Sequence, residues 1–312
     1  MKQMKYMNRA LCLIVCAAVL VMTGCSSADL PATDETLLRF LPEDTSGIVF
    51  VDLSGLRENP FAQDFIDEHV GVQVPEALDD FTASTGFDPN SSLRQIMAAS
   101  AGDSESLMVV SAVYDRARVS EYLTEEGMTF GSHEGVGLFR PDPAREALVA
   151  FVDDVILVGS ESQVRGAIDR SSGTLRSALN NPRLLEDIRT IGEGYQVWAT
   201  GRIDPNLIPE ELTGMGPVEL IRSIERGTYQ MRVDEMVTAR AIGEFTDPGQ
   251  ASTVASLLEG LKGIAMLQGA SGDFSELLSA ILISNEESVL EIELQIETAL
   301  LERLAESGAL TR

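Results

Sequence analysis

Two histidines, His69 and His133, are the residues best suited to acid–base or metal chemistry. His69 ends the acidic run Asp67-Glu68-His69, and His133 sits in Ser132-His133-Glu134-Gly135, a turn sequence. Neither has a second His or Cys at ligand spacing, so they read as a helix-end and a turn histidine. A His–carboxylate base would need a nucleophile, and no G-x-S-x-G elbow or S-x-x-K motif supplies one. Gly102-Asp103-Ser104 looks like the start of an esterase motif, but it precedes an apolar strand instead of following one. The chain has no H-E-x-x-H, no P-loop, no G-x-G-x-x-G and no EF-hand loop. Acid pairs such as Asp79-Asp80, Asp153-Asp154 and Glu286-Glu287 read as solvated surface or turns. No cofactor and no metal are implied.

One constellation suits recognition. Trp198 is the single tryptophan, and strand alternation puts it beside Gln196, Thr200 and Arg202. The same alternation places Arg232, Arg240, Glu291 and Glu293 on that side if their strands share a sheet. A Trp among Arg and Gln on a sheet face can stack or clamp a ligand or partner. The plainer arrangement is a packed Trp beside a solvated Arg–Glu ladder.

The elements that would position these residues follow from pattern. Strands are expected at 47–53, 107–114, 195–203, 228–233, 236–245 and 288–296, and hairpins at 128–140 and 147–159. Helices are expected at Pro60–His69 behind Asn59, 75–84, 91–99, 116–126 behind Asp115, 161–170, 182–191, 217–226, 248–267 behind Asp247, 273–283 behind Asp273, and 298–307. The class is α+β, with two mixed halves. In the second half the order β-α-β-β-α-β matches the split-βαβ, ferredoxin-like pattern. Asp115 and Asp247 each follow a strand and open a helix, so the halves also read as a diverged duplication. First-half strands such as Ile48–Val51, Leu107–Val110 and Val155–Val158 are apolar on both faces and should be covered twice. Second-half strands alternate, with Leu290, Ile292, Leu294 and Ile296 opposed to Glu291, Glu293, Gln295 and Glu297.

The 312 residues carry 49 Asp+Glu against 23 Lys+Arg, a formal charge of −26. That surplus excludes nucleic acid as a partner and anionic lipid as a purely electrostatic one. Lys2, Lys5 and Arg9 precede an apolar run from Ala10 to Met22, which is the layout of a secretory signal and too short for a permanent span. The run ends in Met22-Thr23-Gly24-Cys25. This resembles the lipobox of bacterial lipoproteins, with Met22 in place of the usual Leu. The resemblance implies cleavage between Gly24 and Cys25 and a diacylglycerol thioether on Cys25. Ser26, not Asp, follows Cys25, which in that family points to the outer membrane. Cys12 and Cys16 leave with the signal, so no free thiol remains. The exported part keeps 20 Lys+Arg against 49 Asp+Glu, a net of −29, with Lys262 its one lysine.

The expected layout is a signal peptide at 1–24, a tether at 25–37, a first α+β domain at 38–192 and a second, ferredoxin-like domain at 193–312. Leu41-Pro42-Glu43-Asp44-Thr45 before a strand and Val158-Gly159-Ser160-Glu161-Ser162-Gln163-Val164 before a helix resemble uncharacterised secreted bacterial proteins, a likeness that implies no activity. The expected function is a lipid-anchored periplasmic lipoprotein on the outer membrane. Its folded part reads as a non-enzymatic module for an envelope protein or small ligand, held to the membrane through Cys25. The competing expectation is a periplasmic hydrolase whose residues match no motif.

Overall fold

A computed structural model describes residues 32–65, 76–101, 105–141, 146–202, 223–267 and 272–307. The signal peptide, Gly24, Cys25, residues 25–31 of the tether, His69, Gly102-Asp103-Ser104 and residues 217–222 lie outside them. The chain divides into two compact units that meet in sequence at Arg189/Thr190.

The first unit begins earlier than its sequence suggests. Helix α1 (Ala32–Leu38) occupies what reads as tether, and Leu37, Leu38, Phe40 and Leu41 are fully buried. Four large apolar side chains in five positions give this segment enough buried surface to order it, which outweighs its polar N-terminal half. Strands β1 (Thr45–Asp52), β2 (Leu93–Ala101) and β3 (Glu105–Ala112) follow. Then come the hairpins β4 (Thr129–His133) with β5 (Val136–Phe139) and β6 (Leu148–Val152) with β7 (Val155–Gly159). Their order is β1-β2-β3-β7-β6-β5-β4, every pair antiparallel. One face of this sheet buries Ile48, Phe50, Met97, Leu107, Val109, Leu157 and Leu148. Against it packs helix α2 (Glu161–Ser171), through Val164, Ala167 and Ile168. Ser160 caps that helix by accepting from Gln163 N.

Among the described residues, the second face is covered at one end, not along its length. Helix α3 (Arg116–Glu125), capped by Asp115 as expected, packs Val119 and Leu123 onto Phe139 and Phe151. Further along, Val49 and Met108 stay 49% and 41% exposed. The expected helix at 91–99 is strand β2. Its Met, Ala and Gln residues favour helix locally, but pairing with β1 and β3 on both edges overrides that preference.

In the second unit, strands β8 (Val197–Arg202), β9 (Ile224–Val233), β10 (Met236–Phe245), β11 (Ile281–Glu286) and β12 (Val289–Glu297) stand in the order β11-β12-β10-β9-β8. The ferredoxin-like expectation fails on this order. β8 and β9 are antiparallel neighbours, whereas a split βαβ sets its first two strands parallel with another between them. Ile224–Arg226, expected in a helix, open β9, and Ile281–Ile283, expected to end one, open β11. β-Branched Ile at both places suits a strand. Helix α4 (Pro248–Leu267) covers the apolar face through Ala251, Val254 and Ala255, which pack with Ile224, Phe245 and Leu290. Helices α5 (Asp273–Ala280) and α6 (Thr298–Glu306) flank the last hairpin. Asp273 is the first helical residue of α5, with Gly272 as its cap, and its carboxylate accepts from Arg303 at 2.9 Å.

Candidate functional site

The alternation of β8, β9, β10 and β12 lines up one row of side chains. Trp198 stands opposite Gln230, Gln230 opposite Arg240, and Arg240 opposite Glu293, which faces Leu282 on β11. The row crosses five strands on one face, as the sequence pattern implies. Its two ends differ in exposure. Trp198, Thr200 and Gln230 are buried, and Leu282 is 61% exposed. Trp198 is therefore a packed residue and not an open clamp. Its large indole gains more from burial than a solvated sheet face offers.

Polar groups near Trp198 are satisfied locally. The Gln196 amide accepts from Val233 N at 2.9 Å, continuing the β8–β9 ladder by one side chain. The hydroxyls of Thr200 and Thr228 meet at 3.1 Å across the strands. Arg240 forms a close ion pair with Glu291 and lies 3.7 Å from Glu293, so these three are brought together as expected. Arg232 stands one row away, paired to Asp234 at 3.0 Å and 5.9 Å from the Tyr195 ring. Arg202 ends β8 exposed, opposite Arg226. The accessible polar residues of the face thus include Arg202, Arg232 and Glu293, with Arg240 and Glu291 half-buried between them.

A second cluster was not legible in the sequence. His133, the last residue of β4, reaches helix α2 of the same unit. Its Nε2 lies 2.7 Å from Asp169 Oδ1, and its Nδ1 lies 3.2 Å from Arg165 Nη1. Arg165 in turn donates to Glu161 at 2.8 Å. A guanidinium only donates, so Nδ1 must be the acceptor, and the proton sits on Nε2, donated to Asp169. With both nitrogens engaged, this imidazole has no lone pair for a serine hydroxyl or a metal. The spacing of Glu161, Arg165 and Asp169 along one helix face was readable. The contact with a histidine 36 residues from Asp169 was not.

Elsewhere, burial raises the Tyr114 phenol far above its ordinary value, and its hydroxyl donates to Val155 O at 3.0 Å. Among the described residues, no group of three or more His, Cys, Asp or Glu could hold a metal ion. No helix among them is long and apolar enough to cross a membrane.

No protein-family model matches the chain. No curated protein matches it in sequence. Its fold is similar to that of a solved structure described as crystal form I of TP0453, with a TM-score of 0.50 and 12% identity over 90% of this chain and 98% of the other. At that identity the likeness is one of fold alone.

Proposed function

We propose that this chain is a lipid-anchored cell-envelope protein, tethered through Cys25 at the periplasmic face of the outer membrane, and that its folded part is a non-enzymatic binding module. The observation that carries the reading is the leader: three basic residues, an apolar run and Met22-Thr23-Gly24-Cys25, in that order. The start of α1 at Ala32 supports it. Only six residues separate Cys25 from that helix, and an extended chain covers at most about 3.6 Å per residue. The body would stay within about 25 Å of its anchor. The two engaged nitrogens of His133 favour the binding reading over the hydrolase, because the dyad holds no hydroxyl.

The binding face proposed is the polar strip of Arg232, Arg240, Glu291 and Glu293. It is a polar, partly exposed strip on a sheet face whose Trp198 is packed. The duplication reading is proposed with it. Each unit runs a three-strand meander, then a helix entered at an Asp (Asp115, Asp247), then a last strand that returns to the third and leads into a helix.

Membrane flotation tests the anchor. Wild-type protein should float with the envelope fraction, and Cys25→Ala should not. Equal flotation of both would refute the reading. For the module, capture from native envelope should recover a partner that Arg240→Ala with Glu293→Ala loses. Identical recovery would move the binding face elsewhere.

A further inference from the structure

Strand β11 ends its unit's strand order, with β12 on one side and, among the described residues, no strand on the other. Glu286 pairs with Val289 across the two residues Glu287 and Ser288, with positive φ at Glu287. A two-residue hairpin closes on a hydrogen-bonded pair, so Glu286, Ser284 and Leu282 bond to β12. Ile281, Ile283 and Asn285 then aim their N–H and C=O groups outward. Ile281 is already satisfied: its N–H donates to Leu278 O, and its carbonyl accepts from Lys262 Nζ at 2.6 Å. Among the described residues, nothing bonds the outward groups of Ile283 and Asn285. The edge is also undefended. Proteins blunt a free edge with Pro, Lys, a bulge or a very short strand. β11 reads Ile-Leu-Ile-Ser-Asn-Glu, keeps unbroken register with β12 and leaves Leu282, Ser284, Asn285 and Glu286 exposed. By contrast β4, the outer strand of the first unit, slips register between Thr129 and Gly131.

We propose that β11 pairs antiparallel with β11 of a second copy of this chain, about a two-fold axis at Ser284. One register satisfies every free group. Ile283 of each copy faces Asn285 of the other, and the two N–H and two C=O groups on each side make four hydrogen bonds across the seam. A register shifted by two residues halves that number, because Ile281 is occupied and Glu287 lies in the turn. The side chains fit the same register. Glu286 faces Leu282 of the second copy and Glu287 faces Ile281, so no acid of the edge stands opposite another acid. Ser284 meets Ser284 at the axis, where the two hydroxyls can bond. Leu282, 61% exposed in one copy, gains a neighbour strand. The same patch serves both copies, so the pairing closes at two. Each chain carries an acidic surplus elsewhere, so the pair tightens as salt screens the repulsion.

The test uses the leaderless chain from Ser26, which has no cysteine. Ser284→Cys puts two thiols at a non-hydrogen-bonded pair with Cα atoms about 4.5 Å apart, inside the disulfide range of about 4.4–6.8 Å. Under mild oxidation it should give a disulfide-linked dimer. Glu286→Cys lies on the same face, but its two copies fall about 13 Å apart along the strand, and its dimer should form at least about tenfold more slowly. Adding Asn285→Pro to Ser284→Cys removes one outward N–H and leaves the bonds to β12, so crosslinking should fall to the Glu286→Cys rate while the circular dichroism stays the same. If Asn285→Pro misfolds, the two cysteine variants decide between themselves. Sedimentation equilibrium of the wild type should show monomer and dimer, with more dimer in higher salt. Equal crosslinking of Ser284→Cys and Glu286→Cys would overturn the inference. So would a wild type that stays monomeric at every concentration and salt. Oxidation of full-length Ser284→Cys in native envelope that links it to a different protein, in place of a second copy, would overturn it as well.

Discussion

Leu37 separates two accounts of where the folded body begins. In a tether, Leu37→Ala would cost nothing measurable. In the structure Leu37 is fully buried, and so are Leu38, Phe40 and Leu41. Truncating it removes three carbons from a packed site whose neighbours are held by backbone bonds, such as Ala178 N to Leu41 O at 2.9 Å. Such a site cannot collapse freely, so a cost of about 2–5 kcal/mol is expected. In a unit of about 160 residues, each kcal/mol moves the melting midpoint by about 2–4 °C. Leu37→Ala should therefore lower the midpoint of the first unit by about 5–15 °C in thermal circular dichroism of the leaderless chain. Glu35→Ala, on the exposed side of the same helix, is the control and should stay within about 0.5 kcal/mol. Equal midpoints for both variants would refute the burial of α1 and restore the longer tether.

Three further outcomes follow from the same geometry. Tyr114 is held neutral by burial, so the unfolded chain loses this proton first as pH rises past about 10. Stability should then fall with a slope of at most about 1.4 kcal/mol per pH unit that Tyr114→Phe removes, and an identical alkaline profile in both would contradict the burial. Trp198→Ala should destabilise the second unit by about 3–5 kcal/mol in urea unfolding, as a core truncation does; a loss of binding with unchanged stability would return Trp198 to the surface. With Glu35→Cys labelled in lipidated protein, energy transfer to acceptor lipids should be strong and should drop when a long Gly/Ser linker is inserted after Ser27. No drop would break the short-tether account.

What the sequence disclosed depended on whether the signal was local. Asp115 and Asn59 act as helix caps where their positions implied, because a cap is a bond of two or three residues' reach. The alternation that set Arg240 beside Glu291 and Glu293 was equally plain, since side-chain period in a strand is fixed. Burial at the end of a strand is not local, and Trp198 shows it: its face was readable and its exposure was not. Residues 93–99, part of the helix expected at 91–99, lie in strand β2 because helix-favouring residues are held there by two partners distant in sequence. His133 meets Asp169 for the same kind of reason, a hairpin folded over a helix that only the tertiary structure brings together.

The central claim is the anchor, and the most direct measurement is the mass of the mature N-terminus. Protein extracted from membranes in detergent should begin at Cys25 and carry a diacylglycerol thioether, with or without an added acyl chain. Cys25→Ala should yield no lipid-modified peptide and should keep its leader or be cleaved without modification. The same unlipidated N-terminal peptide from both proteins would contradict the account.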